Sequence, residues 1–216
     1  MSSSSDSRPP IKLVVLLSGG GTTMVNLQQN IQDGLLDARI AAVVASRSCL
    51  GVERAQELGL EASVISPRQF SGPEEFSESV FELVRAHQAD LVVLAGFLSR
   101  LIIPEDYFGR VMNVHPSLIP AFCGQGMYGH HVHQAVIERG CKVSGCTVHF
   151  CDNEYDHGPI ILQEAVPVLD GDDGDSLADR VVAAERRIYP KAVQLFSEGR
   201  LKVQGRRVLI DESHAD

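Results

Sequence analysis

The sequence predicts an α/β protein in which a mostly parallel central sheet is flanked by helices. Over the first hundred residues, short apolar runs of strand length alternate with stretches of helical periodicity. The runs at 13–17 and 91–95 are apolar at every position, as strands buried on both faces are. Glycine or proline punctuates most of the segments between them.

Residues 11–17 are the first predicted strand, broken by Ser18-Gly19-Gly20-Gly21. Thr22 or Thr23 is placed to cap a helix that Gly34 stops. Strand 39–46, short helix 51–58 and short strand 62–65 follow. The helix predicted over 73–87 has proline in its first turn and apolar positions at Phe76, Val80, Phe81 and Val84. Strand 90–95 closes the first half. The second half is more mixed: strand 110–114, a long loop over 116–129, helix 132–138, and strands 143–150 and 159–168 around the polar loop 151–158. The helix over 176–197 accommodates Pro190 only with a kink or a break. A hairpin over 201–210 turns at Gln204-Gly205-Arg206.

Composition narrows the function. The 216 residues are 44% hydrophobic and 22% charged, which excludes disorder, collagen and coiled coil. No apolar run approaches the ~18 residues that span a bilayer, so no membrane partner is expected. With 19 Lys and Arg against 28 Asp and Glu, the net charge is −9. That balance argues against a nucleic-acid partner but allows one anionic small molecule in a local site. The cysteines are odd in number and lack C-x-x-C spacing, which argues against a disulfide framework and a zinc site. Residues 1–10 have no basic or apolar leader pattern and are expected to be a flexible tail. Residues 11–210 are expected to form a single domain, 211–216 a second tail, and the protein to be cytoplasmic.

Two groups of residues carry candidate chemistry. Gly20 and Gly21 follow a strand and open a helix, where bare N–H groups and the helix dipole suit an anion, although a tight turn alone would also use them. Met24 stands where a dinucleotide fingerprint has its third glycine, and no Gly-Lys-Ser/Thr follows. The hydroxyls of Thr22 and Thr23 favour a monophosphate. In the second group, Asn113 and His115 share one face at the carboxyl end of a strand, and strand pairing would bring Asp156 to them from the loop 151–158. An amide N–H and an imidazolium N–H converging on one point suit an oxyanion, and a carboxylate beside the imidazole favours its charged form. His130, His131 and His133 read as the partly exposed start of a helix rather than a metal site, and the cysteines as small apolar residues.

Six stretches in order carry a resemblance: Val15-Leu16-Leu17-Ser18-Gly19-Gly20-Gly21, Leu94-Ala95-Gly96-Phe97, Asn113-Val114-His115-Pro116-Ser117-Leu118-Ile119-Pro120, Val148-His149-Phe150, Asp156-His157-Gly158-Pro159-Ile160-Ile161 and Tyr189-Pro190. Together, over 11–210, they resemble the folate-dependent phosphoribosylglycinamide formyltransferases of purine biosynthesis. The resemblance implies a Rossmann-like formyltransferase fold with its folate site in the carboxyl-terminal half. It implies Asn113, His115 and Asp156 as a catalytic trio, 10-formyltetrahydrofolate as cosubstrate, and no metal. It implies that Gly20, Gly21, Thr22, Thr23, Pro116 and Glu185 bind glycinamide ribonucleotide, Glu185 at the ribose hydroxyls. Folate would meet Leu98, Ser99, Arg100, Leu101 and Ile102, Asn113, and the backbone of Cys151, Asp152, Asn153 and Glu154, with Arg68 near its tail. The assembly would be a monomer or homodimer.

The chain also departs from that pattern. Thr23 stands where Asn is common, the 97–102 segment is one residue longer, and the loop 121–129 is extended. Formyltetrahydrofolate deformylase, with the same trio, is expected to carry a regulatory domain before the catalytic one, and only ten residues precede the first strand here. Methionyl-tRNA formyltransferase adds a carboxyl-terminal barrel. A non-catalytic nucleotide- or folate-binding module would not need the trio.

Overall fold

The computed structural model describes residues 9–213, so most of the tail expected over 1–10, and residues 214–216, lie outside the described residues. One sheet contains β1 (Ile11–Leu17), β2 (Ala38–Ala45), β3 (Ala62–Val64), β4 (Leu91–Leu94), β5 (Val111–His115), β6 (Val143–Phe150), β7 (Ile160–Pro167), β8 (Leu201–Gln204) and β9 (Arg207–Ile210). Their order is β3-β2-β1-β4-β5-β6-β7-β9-β8. Flanking them are α1 (Thr22–Gln32), α2 (Leu50–Glu57), α3 (Pro73–Ala86), α4 (His130–Glu138) and α5 (Gly174–Ser197). Every pairing from β3 to β5 is parallel, β6 is antiparallel to both β5 and β7, and β7 meets β9 at one parallel bridge, Ile160 with Arg207. The sheet is therefore mostly parallel, with its antiparallel pairings in the second half.

Alternation along the strands sorts side chains into two cores. Leu13, Val15 and Leu17 pack with Met24, Leu27, Leu177 and Tyr189, whereas Val14 and Leu16 pack with Phe76, Val80 and Phe81. On β5, Met112 joins the first core and Val111 the second. Asn113 and His115 therefore face the second side. Of the five helices, only α3 contributes buried residues to that side. The β5–β6 part of the face is left to loops, and a cleft forms there.

Three local expectations are corrected. Neither Thr22 nor Thr23 caps α1: the cap is Gly21, with φ 71° and no side-chain hydrogen bond. Gly21 is required there twice over, because a Cβ would also lie 2.8 Å from the Gly51 Cα. The break that Pro190 suggests does not occur, and α5 continues through it. Proline offers no N–H to the carbonyl of Arg186, and the Asn26 side chain of α1 donates to that oxygen instead at 3.0 Å. His133 is not a partly exposed helix start but is 3% exposed, unlike exposed His130 and His131.

Tyr189 on α5 ties the sheet to this helix. Its buried hydroxyl reaches the carbonyls of Leu94 (3.0 Å) and Met112 (2.9 Å), on adjacent strands below the cleft. Tyr189→Phe removes that donor and leaves the shape, so unfolding in urea should show a loss of about 1–3 kcal/mol. An unchanged midpoint would show that the hydroxyl is dispensable.

Candidate active site

β5 presents Asn113 and His115 to the open face, and the antiparallel register sets His149 of β6 directly opposite Asn113. The loop 151–158 leaves β6 beside the start of β5, where Cys151 N–H donates to the Val111 carbonyl at 2.8 Å. It then folds back over the face. Asp156, with φ 53°, ends with Oδ2 3.5 Å from His115 Nδ1 and Oδ1 3.7 Å from His149 Nε2. The trio expected from the sequence does come together. The route is a loop laid across the sheet as well as the pairing of β5 with β6.

The loop 121–129 completes the cluster with backbone groups. His115 Nε2 donates to the Phe122 carbonyl at 2.9 Å, and Gly124 N–H donates to Asp156 Oδ2 at 2.9 Å. His149 Nδ1 donates to the Phe150 carbonyl at 2.9 Å, and its Nε2 lies between the Asn113 carboxamide at 3.3 Å and Asp156 Oδ1 at 3.7 Å. His149 thus orients the Asn113 carboxamide on the cleft wall.

Burial governs the imidazole. Desolvation pushes His115 below its ordinary value of 6.5, more than the Asp156 charge and the Phe122 carbonyl pull it up. Asp156 favours the imidazolium, as expected, but burial outweighs it. Burial pushes Asp156 up in turn, yet the His149 contact, the nearby His115 and the Gly124 N–H together hold it below the usual carboxylate value. Asp156 is therefore ionised at neutral pH. A proton taken up by His115 would sit between two acceptors, the carboxylate on one side and the carbonyl on the other, and would be readily given up again.

These side chains form one wall of a cleft of about 630 Å³, a size suited to a small organic ligand. Leu98, Ser99, Arg100, Leu101, Cys151, Asp152, Asn153 and Glu154, grouped together in the sequence reading, line it, and so does Pro116. Ile102 does not. Its N–H is held by Ser77 Oγ at 2.8 Å, and Ile103 lines the cleft in its place. Arg68 lies outside the lining, in a short 3-10 turn, and Arg100 is a cation on the cleft wall. The Asn153 amide is occupied by the N–H and carbonyl of Ile103, at 2.8 and 3.2 Å, so it anchors the loop.

A second depression, about 30 Å³, lies between α1 and α5 and is lined by Thr22, Thr23, Asn26, Val182, Glu185 and Arg186. It joins Thr22 and Thr23 to Glu185 from the far end of the chain. Gly20 and Gly21 lie in the adjoining turn, where the Gly20 carbonyl accepts from Arg54 at 2.6 Å. Burial raises Glu185 to about 7, as expected of a carboxylate that lacks donors. Sequence reading missed His149 as a site residue, although it stood in the Val148-His149-Phe150 stretch. It also missed the 124–129 segment as cleft wall, where the only signal was loop length.

The fold and this cluster define a one-carbon group-transfer enzyme class, and comparison with known proteins gives the family. A family model described as formyl transferase matches residues 11–193. The chain belongs to the formyl transferase family. The phosphoribosylglycinamide formyltransferase of Escherichia coli (strain K12) is 33% identical, over 93% of this chain and 94% of that protein. The trifunctional purine biosynthetic protein adenosine-3 of Gallus gallus is 37% identical over 89% of this chain, but this chain spans only 19% of its length. Among solved structures, glycinamide ribonucleotide transformylase 1 from Symbiobacterium toebii has a TM-score of 0.87 at 39% identity, covering 94% of this chain and 95% of that one. A formyltetrahydrofolate deformylase from Pseudomonas syringae has a TM-score of 0.82 at 25% identity, covering 94% of this chain and 66% of that one.

Proposed function

We propose that the protein transfers the formyl group of 10-formyltetrahydrofolate to the amine of 5'-phosphoribosylglycinamide in purine biosynthesis. The observation that carries this reading is the meeting of Asn113, His115 and Asp156 on the wall of a folate-sized cleft. The relatives that match along nearly their whole length support it.

The chemistry follows from the geometry. Folate enters the cleft beside Leu98, Ser99, Arg100 and Leu101 and pairs with the backbone of the loop 151–156. The phosphate sits at the N–H groups of Gly20 and Gly21 with Thr22 and Thr23, and Glu185 accepts from the ribose hydroxyls. Burial leaves the Glu185 carboxylate short of donors, and a cis-diol supplies two. The substrate amine attacks the formyl carbon, and the carbonyl oxygen becomes an oxyanion. An N–H of Asn113 donates to it, and the His115 imidazolium donates once its Nε2–H turns from the Phe122 carbonyl. Asp156 stabilises the imidazolium as that charge develops. The proton lost by the amine is relayed through water beside Asp156 to folate N10 as the C–N bond breaks. No step calls for a metal.

Formyltetrahydrofolate hydrolysis is the rival, with water as acceptor. The Thr22, Thr23 and Glu185 pocket favours transfer, since a hydrolase has no use for a ribose site. Folate absorbance followed with and without glycinamide ribonucleotide separates the two. Turnover is expected only with the ribonucleotide, and turnover at the same rate without it would establish the hydrolase. Free cysteines suit a reducing compartment, and a cytoplasmic monomer or homodimer belongs to the same reading.

A further inference from the structure

The C-terminal hairpin touches the loop that carries Asp156. β8 and β9 are joined by the two-residue turn Gly205-Arg206, and β9 meets the rest of the sheet at the single bridge from Arg207 to Ile160. From that turn the Arg206 guanidinium reaches His157. Nη2 donates to the His157 carbonyl at 2.8 Å, and Nη1 makes a short contact with His157 Nε2. The imidazole passes the contact on. Its Nδ1 donates to Asp152 Oδ2 at 2.8 Å, and Asp152 Oδ1 accepts from Glu154 N–H at 2.9 Å. One guanidinium thus grips a main-chain oxygen next to Asp156 and, through one ring, the turn at Asp152–Glu154 that lines the cleft.

We propose that Arg206 is a positioning residue for the folate loop: the hairpin latches the segment 152–157 from outside the cleft, through His157 and Asp152. The inference rests on the formyl-transfer reading for its kinetic consequence, but not for the contact itself. A guanidinium suits this place because its planar fork serves two acceptors at once. The contact is exposed, so it adds little to global stability. Its effect is local, on how far the loop opens. Asn153 on Ile103 and Asp156 on the Gly124 N–H anchor the loop elsewhere. Losing Arg206 therefore frees one flank without unfolding the segment.

The test compares Arg206→Ala with Lys202→Ala, a charge removal in the same hairpin at an exposed position outside the latch. Amide hydrogen exchange over 152–157 should quicken in Arg206→Ala and stay at the wild-type rate in Lys202→Ala. In the same variant the KM for 10-formyltetrahydrofolate should rise roughly fivefold or more, about what loss of one partly exposed charge-assisted hydrogen bond amounts to. The KM for the ribonucleotide should stay put. Arg206→Lys, with one ammonium in place of the fork, should fall between. His157→Gln cuts the ring route to Asp152 and keeps the main-chain oxygen, so it should reproduce both changes in smaller measure, which keeps the test open if Arg206→Ala folds poorly. Unchanged exchange in both latch variants would overturn the latch. Faster exchange with an unchanged folate KM would overturn its positioning role. Exchange needs no substrate, so it decides the contact even if the wild-type protein transfers no formyl group.

Discussion

Asp156→Asn should lower kcat about a hundred- to a thousandfold, the roughly 2.7–4 kcal/mol typical of losing one oxyanion-stabilising interaction, and leave folate binding within a few-fold. The substitution is conservative everywhere but in charge. Asn tolerates the left-handed backbone that Asp156 adopts at φ 53°, and its side-chain oxygen can still accept from Gly124. What changes is the face turned to His115. With the amide oxygen kept on the Gly124 N–H, a neutral oxygen replaces the carboxylate 3.5 Å from Nδ1, and the amide N–H turns toward His149. The neutral ring keeps its proton on Nε2 toward Phe122, and that carbonyl alone is left to offset the burial that opposes the imidazolium. Combined with Asn113→Ala, the loss should be smaller than the product of the single effects, because both act on one oxyanion. Stopped turnover gives kcat, and fluorescence titration with a folate analogue gives binding. Activity within a few-fold of wild type would mean that Asp156 is not the partner of His115.

How much of this is legible in the sequence depends on whether a feature is local. β1 from Leu13, β2 from Ile40 and β4 are apolar because both faces are covered, and such runs are visible without knowing what covers them. Asn113 and His115 are likewise visible as a pair, since period two alone puts them on one face. The pairing of Asn113 with His149 depends on the antiparallel register of β5 and β6, with His149 36 residues further on. Spacing along the chain says nothing about that register. The loop 121–129 contributes a carbonyl and an N–H, groups that every residue has, so no side-chain pattern could reveal them. Pro190 is misread for the same reason: its missing hydrogen bond is made good by Asn26, on another helix. Recognition of family motifs supplied the trio and Glu185. It also named Ile102, which does not line the cleft and gives its N–H to Ser77.

Gly158→Ala should cost both stability and catalysis. Gly158 follows Asp156 by two residues and closes the loop onto β6. A Cβ there would lie 1.9 Å from the Phe150 carbonyl oxygen and 2.9 Å from its carbon. Both are backbone atoms of a strand, and that strand end is held on either side: Phe150 N–H donates to the Pro159 carbonyl at 2.9 Å, and Cys151 N–H to Val111. No side-chain rotation relieves the clash, so the loop must lift. Overpacking of this kind costs about 1–3 kcal/mol, and the fixed neighbours put Gly158 at the upper end. The lift also carries Asp156 away from His115 and His149, whose contacts at 3.5 and 3.7 Å are already long. A displacement of about 1 Å in a catalytic group lowers rates by about a hundredfold. Gly171→Ala is the matched control, since a Cβ there meets nothing within 4 Å, and it should leave the urea midpoint and kcat near wild type. If Gly158→Ala behaved like that control, the loop would not be held against β6 as closely as the packing requires, and the placement of Asp156 would lose its structural support.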